Sequence, residues 1–356
     1  MSKTPPACRL ALLQQWPGLQ AALIDPATPA ILTPVAGDAS FRRYYRVSAD
    51  QTRCGHPLIV MDAPPSHEDS FPFIRLAQAW RRHGIRVPQV MAYDFALGVA
   101  LLEDFGDSVL LKGLNDTHVE QDYRQALDQL VDIQCLPCDA SADYPLPTYN
   151  ADLLQREMDL FDTWLIQGWL GERIPPWLSS SFQQWRETLV QCALAQPQVT
   201  VHRDYHSRNL MRQPDGTLGI IDFQDAVRGP LTYDVISLLK DSYRRWPRQR
   251  QRHWLRHWHR QAQVAGVPGA DTLSSRALQE AFDTMSMQRH LKVAGIFARL
   301  FLRDGRTQYL ADIPRTLQHL IEALQEYPQW ADITQWLEQQ IYPRVCLQLN
   351  TPQPDE

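Results

Sequence analysis

From Val199 to Asp234 the chain reads VTVHRDYHSRNLMRQPDGTLGIIDFQDAVRGPLTYD. This stretch limits the possible architecture more than any other. Short apolar runs, VTV and then LGII, stand either side of the turn-forming cluster Pro214-Asp215-Gly216, so the segment reads as brief strands joined by turns. Polar residues sit where those strands open into loops. Asp204 follows the first run, Asn209 comes five residues later, and Asp222 ends the second run, 18 residues after Asp204 (222 − 204). Single Asp and Asn residues are usually turn-formers and caps. Three at these strand ends and this spacing are more than turns require.

The residues before this stretch have a different character. ILTPVA leads to the turn Gly37-Asp38-Ala39-Ser40, then FRRYYRV and PLIVMDAP, which read as a hairpin and a third strand. FPFIRLAQAWRRHG, Phe71 to Gly84, reads as a helix with Ser70 as its N-cap and Gly84 at its stop. Two more strands are expected at Val90–Phe95 and Val99–Glu103. After Gly106 the pattern is mainly helical, with amphipathic stretches at 117–135, 150–170, 178–195, 249–265, 274–303 and 314–340; only 199–222 departs from it. The expected fold class is therefore α+β and two-lobed, protein-kinase-like in plan. A small antiparallel β-sheet N-lobe with one main helix spans 1–102, a hinge 103–106, and a larger, mostly helical C-lobe 107–349. The tail 350–356, ending NTPQPDE, is expected to be disordered.

Composition removes several function classes. No apolar run approaches the roughly 18 residues of a membrane span, and MSKTPPACRLALLQQW has neither the apolar core nor the cleavage site of a signal peptide. Cytoplasmic localisation is the expectation. Six cysteines in a chain this long do not read as a disulfide framework, and the lone Cys135-Leu-Pro-Cys138 lacks the second pair a zinc site would need. A net charge of −5 argues against bulk nucleic-acid binding. Seven arginines fall between Arg244 and Arg260, but Trp254 and Trp258 are four apart on one helical face. The tryptophans should pack inward and the arginines face solvent.

The 199–234 pattern suits phosphoryl transfer, which asks a protein for one carboxylate to orient a hydroxyl and oxygen ligands for a hard cation. Asp204 fits the first role, Asn209 and Asp222 the second, with Mg²⁺ and ATP as the implied metal and donor. HxDYHSRNLM followed by IIDFQDAxxGPxxYD resembles the aminoglycoside phosphotransferase and choline kinase group. Further stretches, GDASFRRYYRV, MDAPP, LLEDFGD and LKVAGIFARLFLRDGRTQYLADIPR, are similar to its bacterial anomeric amino-sugar kinases; together they span about residues 31–315. The resemblance implies ATP-dependent phosphorylation of the anomeric hydroxyl of N-acetylmuramate or N-acetylglucosamine in peptidoglycan recycling. The implied partners are a small amino sugar and a nucleotide, with no nucleic acid, membrane or obligate protein partner. The absence of an activation segment ending in A-P-E agrees with a small acceptor. A kinase for an aminoglycoside or amino alcohol, and a non-catalytic nucleotide-binding module, are the rival readings.

The resemblance also assigns the nucleotide end. The 37–40 turn should cover the phosphates, with Ser40 and Phe41 near them. LLEDFGD should be the hinge, the backbone at Glu103 and Phe105 reading the adenine, so that Asp104-Phe105-Gly106 is no metal motif despite its spelling. Kinases place a lysine on the third strand; here that place falls at Met61, and the only lysines are Lys3, Lys112, Lys240 and Lys292. Strand alternation puts Phe41, Arg43, Tyr45 and Val47 on one, mostly apolar face, so Arg43 is expected to turn inward and take the lysine's role, with Glu68 or Asp69 as its counter-charge. On the acceptor side the candidates are His206, Asp225, Arg228, Arg299 and Arg303. His202 and Arg203 are expected to fix the loop, and Asp234 to brace structure.

Overall fold

The computed structural model describes residues 7–35, 41–139 and 141–350. The 37–40 turn with Ser40, and most of the expected tail, lie outside them. The chain divides into two compact units, Met1–Lys112 with Asn209–Asp225, and Gly113–Arg208 with Ala226–Glu356. The segment carrying Asn209 and Asp222 thus groups with the N-terminal sheet, although it interrupts the helical part of the sequence.

In the first unit, β1 (Thr33–Val35), β2 (Arg43–Val47), β3 (Leu58–Asp62), β4 (Val90–Asp94) and β5 (Val99–Glu103) form an antiparallel sheet in the order β1-β2-β3-β5-β4. One face is apolar: Tyr45, Val47, Leu58, Val60, Val99 and Leu101 pack with Leu13, Trp16 and Leu19 from the N-terminal segment. The expected helix runs Phe71–Arg82. Ser70 precedes it but does not cap it; its backbone is already helical and its hydroxyl makes no cap bond. Asp69 does that work, accepting the Phe71 amide at 2.9 Å. A second hairpin, Leu210–Arg212 paired with Leu218–Ile220, completes the unit.

The second unit is organised around the 30-residue helix Ser275–Asp304. Met158, Phe161, Leu165, Trp185, Leu291, Ala294, Phe297, Leu317 and Trp336 belong to its core. The stretch expected as one helix over 150–170 starts as the α-helix Ala151–Leu160 and loosens to π over Phe161–Trp169. It crosses the long helix at Gly295, where a Cβ would stand 2.3 Å from the Leu160 carbonyl carbon; only glycine lets the backbones meet. The stretch expected over 314–340 breaks after Leu324, because Pro328 brings no N–H and disfavours helix at Tyr327. Trp254 and Trp258 are fully buried, while Arg245, Arg248 and Arg250 pair with Glu322, Glu326 and Asp116. Among the described residues no helix is long and apolar enough to cross a membrane.

Candidate active site

Asn209 and Asp222 are brought together by the second hairpin. The Ile221 amide donates to the Asn209 carbonyl at 3.1 Å, and Asn209 Nδ2 reaches Asp222 Oδ2 at 3.4 Å. Asp222 has φ 65°, a left-handed backbone uncommon outside glycine and tolerated best by Asn and Asp. That bend separates the carboxylate from Phe223, which is fully buried against Phe73 and Trp80, with ring centroids 5.0 and 5.5 Å away. The aromatic anchors the loop on the Phe71–Arg82 helix while the acid points elsewhere. Gln224 Nε2 donates to Asp222 Oδ1 at 2.7 Å, and Gln224 Oε1 is buried with no donor. The donor set is thus oxygen-rich, with an orphaned carbonyl oxygen beside a carboxylate. Those residues fit a hard divalent cation that completes its shell with water and phosphate. Gln224 was not among the sequence candidates; its signal is the DFQ spelling, in which a third oxygen side chain follows the anchored aromatic.

The sheet's cations fall differently from expectation. Tyr45 and Val47 do point into the apolar core, and Arg43 shares that face, opposite Asp62 in register. The buried arginine is Arg42, 8% exposed, with Nη2 3.4 Å from Glu68. Burial opposes its charge, but Tyr44, Glu68, Asp222 and Asp225 together hold its pKa above the ordinary guanidinium value. Alternation thus places Arg43 on the core face, while the buried, acid-paired cation is Arg42 on the other face. Glu68 is the counter-charge, as one of the two expected, but to Arg42. Asp225 is placed here, in the electrostatic environment of Arg42. Phe41 is exposed; its amide donates to Glu68 at 3.0 Å and its ring lies 5.1 Å from His67.

At the end of β5, Glu103 is held by Arg86 at 2.7 Å and Arg81 at 3.3 Å, and its amide donates to Gln89. Phe105 is buried under Arg86, 4.6 Å from its ring centroid. Its ring lies so close to Gly219 that a Cβ there would come within 2.5 Å. Asp104, 3% exposed at its side chain, is bound by Arg46 at 2.5 and 3.1 Å and by the Gly106 amide at 2.8 Å. Its carboxylate is committed to shaping this turn.

In the second unit, the loop carrying Asp204 is held from behind. Buried Asp234 accepts the amides of His202 at 2.6 Å and Arg203 at 3.0 Å, which permits Arg203 its φ of 76°. Burial raises Asp234 to about 7, against the pull of those two amides. Tyr205 donates to the Ala126 carbonyl at 2.7 Å, and Ser207 donates to Asp241 through its amide (3.1 Å) and hydroxyl (2.5 Å). Arg203 binds Glu157, which also takes Lys292 at 3.2 Å and the Tyr149 hydroxyl. Lys292 donates to the Tyr233 hydroxyl at 2.9 Å. Arg289 Nη2 lies 4.0 Å from Asp204 Oδ1. Asp204 itself is 40% exposed at its side chain. Burial of the loop pushes its carboxyl up, but Lys292, His206, Arg289 and Arg203 outweigh that and hold it well below the usual carboxylate range. Glu157, Arg289 and Lys292 were not sequence candidates. A lysine inside the apolar run LKVAGIF is the signal that pointed to Lys292, since a buried ammonium needs partners.

The remaining candidates scatter. His206 stands edge-on to Tyr243 with centroids 5.3 Å apart; burial lowers its pKa, and its Nδ1 is shielded without a partner. Tyr243 also carries the Arg208 guanidinium, 3.6 Å above its ring. Arg228 lies in the ribbon Gln198–Val201/Val227–Pro230, where its charge acts on Cys138 and Asp139. Arg303 donates twice to Asp304, at 2.8 and 2.9 Å. Arg299 is half-buried on the long helix.

Residues 31–274 match the family described as phosphotransferase enzyme family, APH. The chain is 40% identical to the N-acetylmuramate/N-acetylglucosamine kinase of Pseudomonas putida over 302 residues, covering 85% of this chain and 86% of that one. It is 38% identical to the protein of the same name from Pseudomonas aeruginosa, over 87% and 88% of the two chains. Among solved structures, a choline/ethanolamine kinase family protein from Mesorhizobium loti superposes with a TM-score of 0.57, at 12% identity, over 96% of this chain and 97% of that one. At that identity the likeness shows the fold alone, which is that of the kinases.

Proposed function

This chain belongs to the phosphotransferase enzyme family, and on that footing we propose that it transfers the γ-phosphoryl group of ATP to the anomeric hydroxyl of N-acetylmuramate or N-acetylglucosamine. The product is the sugar 1-phosphate, as peptidoglycan recycling in the cytoplasm would use. The observation that carries this reading is the state of Asp204. Flanking cations hold its carboxylate ionised and weakly basic. Such a group orients a hydroxyl better than it strips one, which suits an anomeric hydroxyl, more acidic than an ordinary alcohol.

The other residues divide the work of positioning. Asn209 and Asp222, with Gln224 behind them, would hold Mg²⁺, which would supply charge neutralisation at the phosphates. Arg42, steadied by Glu68, supplies the cation that Met61 does not. Phe41 would lie beside the phosphates, and the backbone at Glu103 and Phe105 reads the adenine. Because Glu103 gives its amide to Gln89 and Phe105 its carbonyl to Gln213, the Phe105 amide is the donor offered to the base.

The test is ATP consumption by the purified protein with N-acetylmuramate, N-acetylglucosamine, kanamycin and choline in parallel. Turnover with either amino sugar and none with the two cations is expected. Turnover with kanamycin or choline alone would overturn the acceptor, and none with any would leave the rival non-catalytic module standing.

A further inference from the structure

We propose that Arg299 sets the preference for an acidic acceptor, its guanidinium taking the lactyl carboxylate of N-acetylmuramate. The assignment rests on the amino-sugar kinase reading above.

The long helix Ser275–Asp304 carries Arg289, Lys292, Ile296, Arg299 and Arg303 at intervals of three, four, three and four, which lays them along one stripe. At one end the charges are committed. Arg289 donates to Ser237 at 2.5 Å beside Asp204, and Lys292 serves Tyr233 and Glu157. At the other end Arg303 is closed on Asp304. Arg299 lies between them and has no acidic partner within ion-pair distance among the described residues. Its Nε is shielded from solvent with no acceptor. Burial, and then Arg303, hold its pKa below the ordinary guanidinium value, with Asp304 opposing. A guanidinium drawn out of water without a counter-charge is costly, and an anion arriving there would offset that cost.

Direction and chemistry agree. Ten residues separate Arg289 from Arg299, about 15 Å along the axis. Helical side chains lean toward the N-terminus, Arg289 and Arg299 alike, so the two guanidiniums keep roughly that separation. A sugar bound between them would set its anomeric hydroxyl toward Asp204 and its acid substituent toward Arg299. A planar two-pronged donor suits a carboxylate better than a hydroxyl, and N-acetylglucosamine has no carboxylate to offer. A guanidinium without a counter-charge at Arg299 would repel a cationic acceptor.

The experiment compares kcat/KM for both sugars in the unaltered protein, Arg299→Met and Arg299→Lys. Methionine keeps the helix propensity and most of the apolar stem, and N-acetylglucosamine turnover reports that each variant is folded. For Arg299→Met the expected result is a fall of about 10- to 100-fold on N-acetylmuramate, through KM, and less than about threefold on N-acetylglucosamine. Arg299→Lys should lose less, since it keeps charge without the fork. Equal losses on both sugars, or none on either, would overturn the assignment. An unaltered protein that phosphorylates neither sugar would instead remove the activity on which it rests.

Discussion

The two aspartates of the same short stretch live in opposite surroundings. Asp222 is clamped by amide groups from Asn209 and Gln224, next to an orphaned amide oxygen. Asp204 is set among Lys292, Arg289 and Arg203, whose charges favour its ionised form. Both loops bend through a left-handed non-glycine residue, Asp222 itself in one and Arg203 in the other. Local backbone geometry is thus alike, and the difference is in what the surrounding fold supplies. Amide donors polarise a carboxylate without cancelling its charge, so a cation is still attracted. Fixed buried cations stabilise the ionised form, and on the reading proposed above the group then orients a neutral hydroxyl.

That contrast breaks down if the two acids respond alike. Asp222→Ala should have the largest effect, roughly 10³-fold in kcat or more, since several kcal/mol of charge stabilisation leave with the metal. Raising the Mg²⁺ concentration should restore part of it. Asp204→Asn should lower kcat by about 10²–10⁴ with the Mg²⁺ concentration for half-maximal rate unchanged. Magnesium titrations of the two variants decide the matter; a shifted midpoint in Asp204→Asn would mean that Asp204 also serves the metal.

A smaller effect sharpens the base side. Lys292 is the leading charge that lowers Asp204. Removing it takes away stabilisation of the carboxylate, so the Asp204 pKa rises. The acid limb of the kcat/KM profile in Lys292→Met should therefore move to higher pH, while the limb of Asp222-loop variants stays in place. An unmoved limb would show that Arg289 and Arg203 suffice.

How far the sequence could be read is clearest at β2. Five strands, their order along the chain and the long helices follow from alternation and periodicity, because a half-buried strand repeats every two residues and a helix every 3.6. Asp204, Asn209 and Asp222 follow from spacing. What alternation cannot say is which face of a sheet meets the ligand. It correctly paired Arg43 with Tyr45 and Val47, and for that reason pointed to Arg43 where the structure buries Arg42. Glu157, Arg289 and Lys292 are long-range partners, 47, 85 and 88 residues from Asp204 along the chain, and no local pattern links them to it. The choice between the arginines is testable. Arg42→Met should weaken kcat/KM for ATP by about 10- to 100-fold, the worth of one charge-assisted phosphate contact, whereas Arg43→Met should change it by less than about threefold. The reverse order would return the lysine's role to Arg43.

The smallest expected effect on catalysis belongs to the tripeptide that looks most like a metal motif. Asp104 is nearly enclosed and receives Arg46 twice and the Gly106 amide once, so three of the carboxylate's roughly four lone-pair sites are already taken. Arg46 has a second acid, Asp107, whose pKa it lowers. In Asp104→Ala the guanidinium therefore keeps one partner, and the loss should be milder than the 3–5 kcal/mol of a fully broken buried pair, about 1–3 kcal/mol. Thermal unfolding should register it. The Mg²⁺ midpoint should stay where it is in the unaltered protein, while the KM for ATP rises modestly as the turn beside Phe105 loosens. A Mg²⁺ midpoint displaced as far as in Asp222→Ala would mean that Asp104 reaches the metal after all, and the contrast between the two aspartates would have been drawn at the wrong pair.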